Sequence, residues 1–264
     1  MTTPPDPILN ASRVPRRQSQ GDKGPGTIDR VLWTVRDLYE ADLPEPTWVV
    51  PDLLPAGLTL LAGRPKLGKS WLALQLAVAV GGGPGPGRFL DREVPTRPAL
   101  YIPLEDSPRR MRARLKSLCA TPACNLRLIT AWEPLNGKGL NLLRRMVEVT
   151  SPGLVVIDTL TRAFSGRVDW DAVGQATEAL GRLQALAMER DCAILLVDHH
   201  RKGNGAEGDV VDDVMGSTGK SAVADALWGL YRRRGDSTAT LRVTGRDLEE
   251  ASISLTFHRQ TCCW

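Results

Sequence analysis

Gly63 and Gly68, five residues apart and followed at once by Lys69 and Ser70, are the residues whose types and spacing point most directly to chemistry. In Gly63-Arg64-Pro65-Lys66-Leu67-Gly68-Lys69-Ser70 the glycines let the backbone turn amide N–H groups inward around an anion. Lys69 can reach the β- and γ-phosphates of a nucleoside triphosphate, and the Ser70 hydroxyl can ligate magnesium. The flanks fit this use. Leu58–Ala62 reads as a buried strand and Trp71–Val80 as a mostly apolar helix starting at the loop, so a helix N-terminus faces the phosphates. A glycine-rich turn is the plainer alternative.

A second strand carries the next acid. Leu154-Val155-Val156-Ile157 ends in Asp158, 88 residues after Ser70, where a carboxylate can complete the magnesium shell. The residue that follows is Thr159, not Glu, so an adjacent Glu does not polarise the attacking water. Tyr101-Ile102-Pro103-Leu104-Glu105-Asp106 offers a carboxylate elsewhere. At a strand tip, Glu105 can orient and deprotonate water. The competing reading has Glu105 or Asp106 capping the helix that starts at Ser107-Pro108.

Other strings carry less. Gly216-Ser217-Thr218-Gly219-Lys220-Ser221 imitates a phosphate loop, but Val214 stands at its first glycine position and an acidic segment precedes it. Cysteines 119, 124, 192, 262 and 263 form no Cys-x-x-Cys pair, and histidines 199, 200 and 258 give no zinc spacing. No metal is expected beyond the nucleotide's magnesium. Cys192 reads as the entrance to a buried strand, and Cys262-Cys263 as an exposed tail.

The elements that must position these residues follow from the whole chain. Its 264 residues, 42% hydrophobic and 24% charged, suit one substantial domain with extensions, and a net charge of +4 does not by itself call for nucleic acid. The ten residues Trp71–Val80, interrupted by Gln75, are too short to cross a membrane. With no secretory signal visible, a cytoplasmic location is expected. Residues 1–27 read as a disordered tail, whose Arg13, Arg16 and Arg17 are solvated or touch a nucleic-acid backbone. Residues 28–56 read as an N-terminal helix, with an apolar stripe at 28, 31, 32, 35, 38 and 39, and a proline-spaced linker. Residues 57–264 form the catalytic domain. Within it, strands at Ala99–Leu104, Leu126–Ile129, Leu154–Ile157 and Ala193–Val197 alternate with helices at Ser107–Cys119, Asn141–Val149 and Asp171–Arg190. This alternation predicts an α/β fold with a mostly parallel sheet and ligands at the carboxyl ends of its strands. Ala226–Tyr231, Thr238–Thr244 and Ser252–Phe257 read as strands that extend it as an antiparallel C-terminal edge.

The phosphate loop, Leu104-Glu105-Asp106-Ser107, Ile157–Arg162, His199–Gly203, Gly216–Gly219, Ala224-Asp225 and Val243–Asp247 occur in one order. This set resembles the RecA-like P-loop ATPases of the RepA/DnaB-like hexameric helicase group, common on plasmids and phages, over roughly residues 45–257. The resemblance implies ATP and Mg2+ as cofactors, self-association into a ring, most often a hexamer, and single-stranded DNA as partner. It also implies that the strand-end Glu105 is the catalytic base and that a polar residue ending the fourth core strand senses the γ-phosphate. Anchored on Arg201-Lys202-Gly203, that sensor is His199, with Asp198 replacing a family histidine; anchored on the histidine pair, it is His200. Arg246 matches the family's basic residue donated to a neighbouring subunit, with Arg232-Arg233-Arg234 as rivals. Leu248 stands where a second basic residue is common in the family.

Two loops are candidates for a nucleic-acid surface. Thr161–Trp170 carries Arg162, Phe164, Arg167 and Trp170, a mixture suited to backbone charge and base stacking. Arg201–Val214 has two basic residues against four acids, which suits a protein partner better. The basic helix face from Arg109 to Lys116 tracks DNA or is solvated. A regulatory ATPase acting on a protein is therefore the second reading, and a small-molecule kinase, lacking a visible lid, the third. No Asn-Lys-x-Asp signature is present, which favours ATP over GTP.

Overall fold

The apolar runs of the sequence become the centre of one eight-stranded sheet. The computed structural model describes residues 33–82, 87–164, 168–170, 172–199, 210, 218–233 and 235–264. In chain order the first elements are α1 (Val35–Glu40), β1 (Trp48–Val50), β2 (Leu54–Pro55), β3 (Gly57–Gly63), α2 (Lys69–Gly81), β4 (Gly87–Phe89), β5 (Arg92–Val94), β6 (Ala99–Pro103) and α3 (Pro108–Ser117). Then come β7 (Leu126–Leu128), α4 (Lys138–Thr150), β8 (Leu154–Asp158), α5 (Leu160–Ala163), α6 (Val173–Glu189) and β9 (Ala193–Val197). The chain closes with α7 (Thr218–Val223), β10 (Ala226–Tyr231), β11 (Thr238–Gly245) and β12 (Ala251–Thr256).

The sheet order is β12-β11-β10-β3-β9-β8-β6-β7. Six of these strands, from β10 to β7, run parallel, and β11 and β12 turn antiparallel at the edge. The expected antiparallel edge is thus confined to the last two strands. Strand β10 instead lies parallel beside β3, with Leu230 opposite Gly63, because α7 precedes it and supplies a crossover.

Helices cover both faces, so β3 is buried at every residue and reads as an unbroken apolar run. On one face Leu61 packs in a cluster with Leu72, Leu76 and Val80 of α2 and Met111 of α3. On the other, Leu58, Leu60 and Ala62 join Leu143 and Val147 of α4 and Leu180, Leu183 and Leu186 of α6. The small hairpins β1–β2 and β4–β5 were not legible as strands; Val49, Val50, Leu53 and Leu54 of the linker are buried in the α2 cluster.

The two ends of the chain differ from each other. Helix α1 is held by a capping box between Thr34 and Asp37 and buries none of its residues. Residues 1–32, including the expected tail and the start of the apolar stripe, lie outside the described residues. At the other end, the expected exposed tail is corrected. His258 donates its backbone N–H to Cys263 O at 2.8 Å, and the turn returns Trp264, only 8% exposed, against α2. Cys262 and Cys263 are half-buried, and Cys192, at the entrance to β9, is fully buried, which pushes its thiol pKa up to about 12. No described helix is long and apolar enough to cross a membrane.

Candidate active site

The phosphate loop sits where β3 hands over to α2. Gly68 precedes the helix at φ 104° and no side chain caps the first turn, so its N–H groups remain for an anion. A side chain at Gly63 would put a Cβ 2.8 Å from Leu230 O, and one at Gly68 would meet the Trp264 ring at 2.7 Å. Arg64, Pro65 and Lys66 are exposed, Leu67, Gly68 and Ser70 half-buried, and Lys69 buried. The Lys69 ammonium donates to Gly63 O at 2.6 Å and Arg64 O at 3.0 Å, and lies 3.3 Å from His199 Nδ1. Burial pushes its pKa down to about 8, while Asp158, Asp198 and Glu105 pull it back up.

Asp158 ends β8 at 3% exposure. Burial raises its carboxyl pKa, and the Ser70 and Tyr101 hydroxyls oppose that rise. Tyr101 Oη donates to Oδ2 at 2.9 Å, whereas Oδ1 is buried and accepts no hydrogen bond. An orphaned carboxylate oxygen beside a serine hydroxyl is the all-oxygen donor set that magnesium takes, together with phosphate oxygens. Among the described residues, no three His, Cys, Asp or Glu side chains gather into a metal cluster.

Glu105 and Asp106, adjacent in sequence, are put to different uses. Ser107 caps α3, accepting from the Arg110 N–H at 3.3 Å. Asp106, with its side chain 6% exposed, pairs with Arg110 at 2.9 Å and Arg114 at 2.5 Å. The helix start therefore leaves Glu105 uncommitted. Its carboxylate accepts from Thr159 Oγ1 at 3.1 Å, stands 3.8 Å from Arg162 Nε, and is close enough to influence both Lys69 and Asp158.

Strand β9 delivers the remaining groups. Asp198, 4% exposed, accepts the His199 N–H on Oδ1 at 2.8 Å and the Lys220 ammonium on Oδ2 at 2.7 Å. His199 Nδ1 stands against the Lys69 ammonium, and His200 lies outside the described residues. Gly63, Glu105, Asp158 and His199 thus share the carboxyl edge of the sheet with Lys69 and Ser70. Tyr101, Asp198, Lys220 and Trp264 join this neighbourhood without having been assigned a site role from sequence. The Gly-Lys-Ser string at 219–221 was the one signal for Lys220, which meets a carboxylate instead of a phosphate. Trp264 donates its indole N–H to Gly68 O at 3.1 Å, exchanges two hydrogen bonds with the Gln75 amide and packs on Phe257.

Arg246 is not brought to this site. Gly245 pairs with Ala226 at the start of β10, so Arg246 lies at the opposite edge of the sheet. There it donates to Ala222 O at 2.9 Å and stands 3.6 Å from Asp225, which itself accepts from Leu58 N–H and Gln184. Arg232 is at the phosphate edge but covers the Trp264 ring, and Arg234 is outside the described residues. The first candidate loop is also corrected. Phe164 is 4% exposed and packs edge-on against the half-buried Trp170, so it cannot stack on a base in this arrangement. Arg162 is exposed; Arg167 and most of 201–217 lie outside the described residues. On α3, Arg109, Arg110, Arg112 and Lys116 face solvent, while Arg114 turns inward over Trp71.

A family model described as an AAA domain matches residues 26–205. The DNA repair protein RadA of Aquifex aeolicus (strain VF5) is 25% identical over 208 residues, which are 75% of this chain and 42% of that protein. RadA of Mycobacterium tuberculosis (strain CDC 1551 / Oshkosh) is 27% identical over 159 residues, covering 59% and 29%. The chain spans less than half the length of these curated relatives. Among solved structures, a DnaB-like replicative helicase superposes with a TM-score of 0.61 at 16% identity, over 78% of this chain and 56% of that one. A separately solved ATPase domain gives 0.61 at 16%, over 78% and 83%, and the RadB recombinase 0.55 at 16%, over 81% and 90%. At such identities the likeness is one of fold. The family match covers well over half of the chain and contains the whole phosphate loop, so the chain belongs to the AAA domain family and carries the RecA-type P-loop ATPase fold of DnaB-like helicases.

Proposed function

We propose that this protein is an ATP-hydrolysing motor that acts on single-stranded DNA as a ring, most simply a hexamer, in cytoplasmic plasmid or phage replication. The observation that carries the reading is the convergence of Lys69, Ser70, Glu105, Asp158 and His199 on one sheet edge. Residues 63–70 wrap the phosphates with backbone N–H groups, and Lys69 exchanges its carbonyl partners for phosphate oxygens. Ser70 and Asp158 would hold Mg2+, which would supply neutralisation of the phosphate charge. Tyr101 fixes the Asp158 carboxylate, leaving Oδ1 for the ion. Glu105, steadied by Thr159, orients a water and accepts its proton. His199 faces the γ-phosphate from the end of β9.

Arg246, its side chain 57% exposed at the far edge of the sheet, is open to a neighbouring subunit, which supports a ring in which each centre is completed by the next chain. Relatives named as a replicative helicase and as DNA repair proteins support a DNA substrate. The burial of Phe164 removes one stacking residue from the expected DNA loop and favours the second reading, an ATPase directed at a protein partner.

The test is ATP hydrolysis against single-stranded DNA concentration, with the assembly mass measured in ATP. DNA-stimulated turnover by an oligomer is expected, with Glu105→Gln losing roughly 10²–10⁴-fold in rate while still binding nucleotide. Turnover indifferent to DNA would transfer the assignment to the protein-directed ATPase.

A further inference from the structure

The buried pair Asp198–Lys220 lies beside the phosphate edge and has no part in the chemistry above. Both carboxylate oxygens are committed, one to the Lys220 ammonium and one to the His199 backbone N–H. The next contact along is His199 Nδ1 to Lys69 Nζ. On its other side the Lys220 ammonium sits 5.1 Å above the Trp170 ring, and Trp170 packs edge-on against Phe164 at 5.2 Å. Helix α7, which carries Lys220, is seated closely on α6: a Cβ at Gly219 would fall 2.7 Å from Val173 O. Asp198 is tied to the phosphate-loop strand as well, donating its N–H to Leu61 O at 2.9 Å.

A charge pair this buried is a poor source of net stability, because desolvation offsets most of the attraction, but it holds one geometry against alternatives. Here that geometry joins two places where movement matters. We propose that Lys220 is a positioning residue: by locking Asp198 it sets the backbone at His199, and by resting on Trp170 it carries a change at the phosphates to the segment after α5. The inference rests on the reading of His199 as the phosphate-facing residue. When a nucleotide draws Lys69 away, His199 loses its Nδ1 neighbour, and Asp198 and Lys220 are the packed groups between it and Trp170. A serial contact of this kind is a physical route only if both ends respond together.

The test compares wild type with Lys220→Met, Lys220→Arg and the charge-free pair Asp198→Asn/Lys220→Met, all in the full chain. The last variant leaves no unpaired buried charge, so it reports even if Lys220→Met fails to fold. Two quantities are read with a magnesium-bound, non-hydrolysable ATP analogue: its affinity, and the change in Trp170 emission, isolated by subtracting the titration of Trp170→Phe. Lys220→Met and the charge-free pair should keep affinity within roughly twofold, lose the Trp170 response and lose roughly tenfold in turnover, while Lys220→Arg regains both. The proposal is overturned if the Trp170 response and turnover survive in the charge-free pair. It is equally overturned if affinity falls in step with turnover, or if Lys220→Arg does no better than Lys220→Met. Stimulation of wild type by oligo-dT is scored separately; its absence overturns the DNA-motor reading and leaves the Trp170 comparison in force.

Discussion

Replacing Lys69 with methionine should change how stability depends on pH, by an amount the site predicts. The nucleotide-free ammonium is buried and its pKa falls from 10.5 to about 8. Between those two values the unfolded chain holds a proton that the folded chain has released, so stability rises with pH across that window. Below a pH of about 8 both states are charged, and burying the ammonium costs about 3 kcal/mol. Between pH ~7.5 and pH ~9.5 this residue alone should add about 2 kcal/mol to the folding free energy. Lys69→Met keeps the length of the side chain and has no proton to release. Urea unfolding of both proteins at both pH values, without nucleotide, isolates the difference, since other titrating groups cancel in the comparison. A gap of about 2 kcal/mol in their pH responses is expected. Parallel responses would refute the argument, because they would mean that the ammonium is not desolvated. Magnesium ATP should flatten the wild-type response, as phosphate charge returns the lysine toward its ordinary pKa.

Trp264→Ala should cost about 3 kcal/mol, the low end for a buried aromatic, while Trp264→Phe, which loses mainly the indole bond to Gly68 O, should cost about 1 kcal/mol. Thermal unfolding orders the two, and nucleotide affinity should weaken in the same order. Glu105→Gln and Arg246→Ala should each cut turnover of the assembly, by about 10³-fold or more for the arginine. Mixing the two inactive proteins should recover part of the rate, since a Glu105→Gln subunit still offers Arg246 to a neighbour; no recovery would place Arg246 outside the trans role.

Much of the site could be read from sequence because its parts are local. Gly63 to Ser70 form one continuous loop, and Glu105 and Asp158 are strand-end acids, so a parallel sheet sends them to the same edge without further information. The groups that were missed depend on which strands become neighbours. Tyr101 reaches Asp158 because β6 lies beside β8, and Lys220 reaches Asp198 across a crossover that the sequence did not reveal. The parallel pairing of β10 with β3 was not legible for the same reason: apolar content marks a strand, but the connection before it decides its sense. Phe164 was a different kind of error. Leu160, Ala163 and Phe164 have helical spacing and all point inward, a stripe that was present in the sequence but was overshadowed by the neighbouring arginines.

Trp264 and β10 bear on where the working unit ends. The segment recognisable as an AAA domain stops at residue 205, before either of them. A fragment cut there would leave β3 with an open flank along Thr59–Gly63, five residues of unpaired backbone directly beneath the phosphate loop. It would also strip Gly68 of the indole that closes over its Cα and holds its carbonyl. Such a fragment keeps the phosphate loop, Glu105, Asp158 and His199 and loses the scaffold that fixes their angles. The family likeness ends at residue 205, whereas the strand beside β3 and the indole over Gly68 come from the 59 residues that follow.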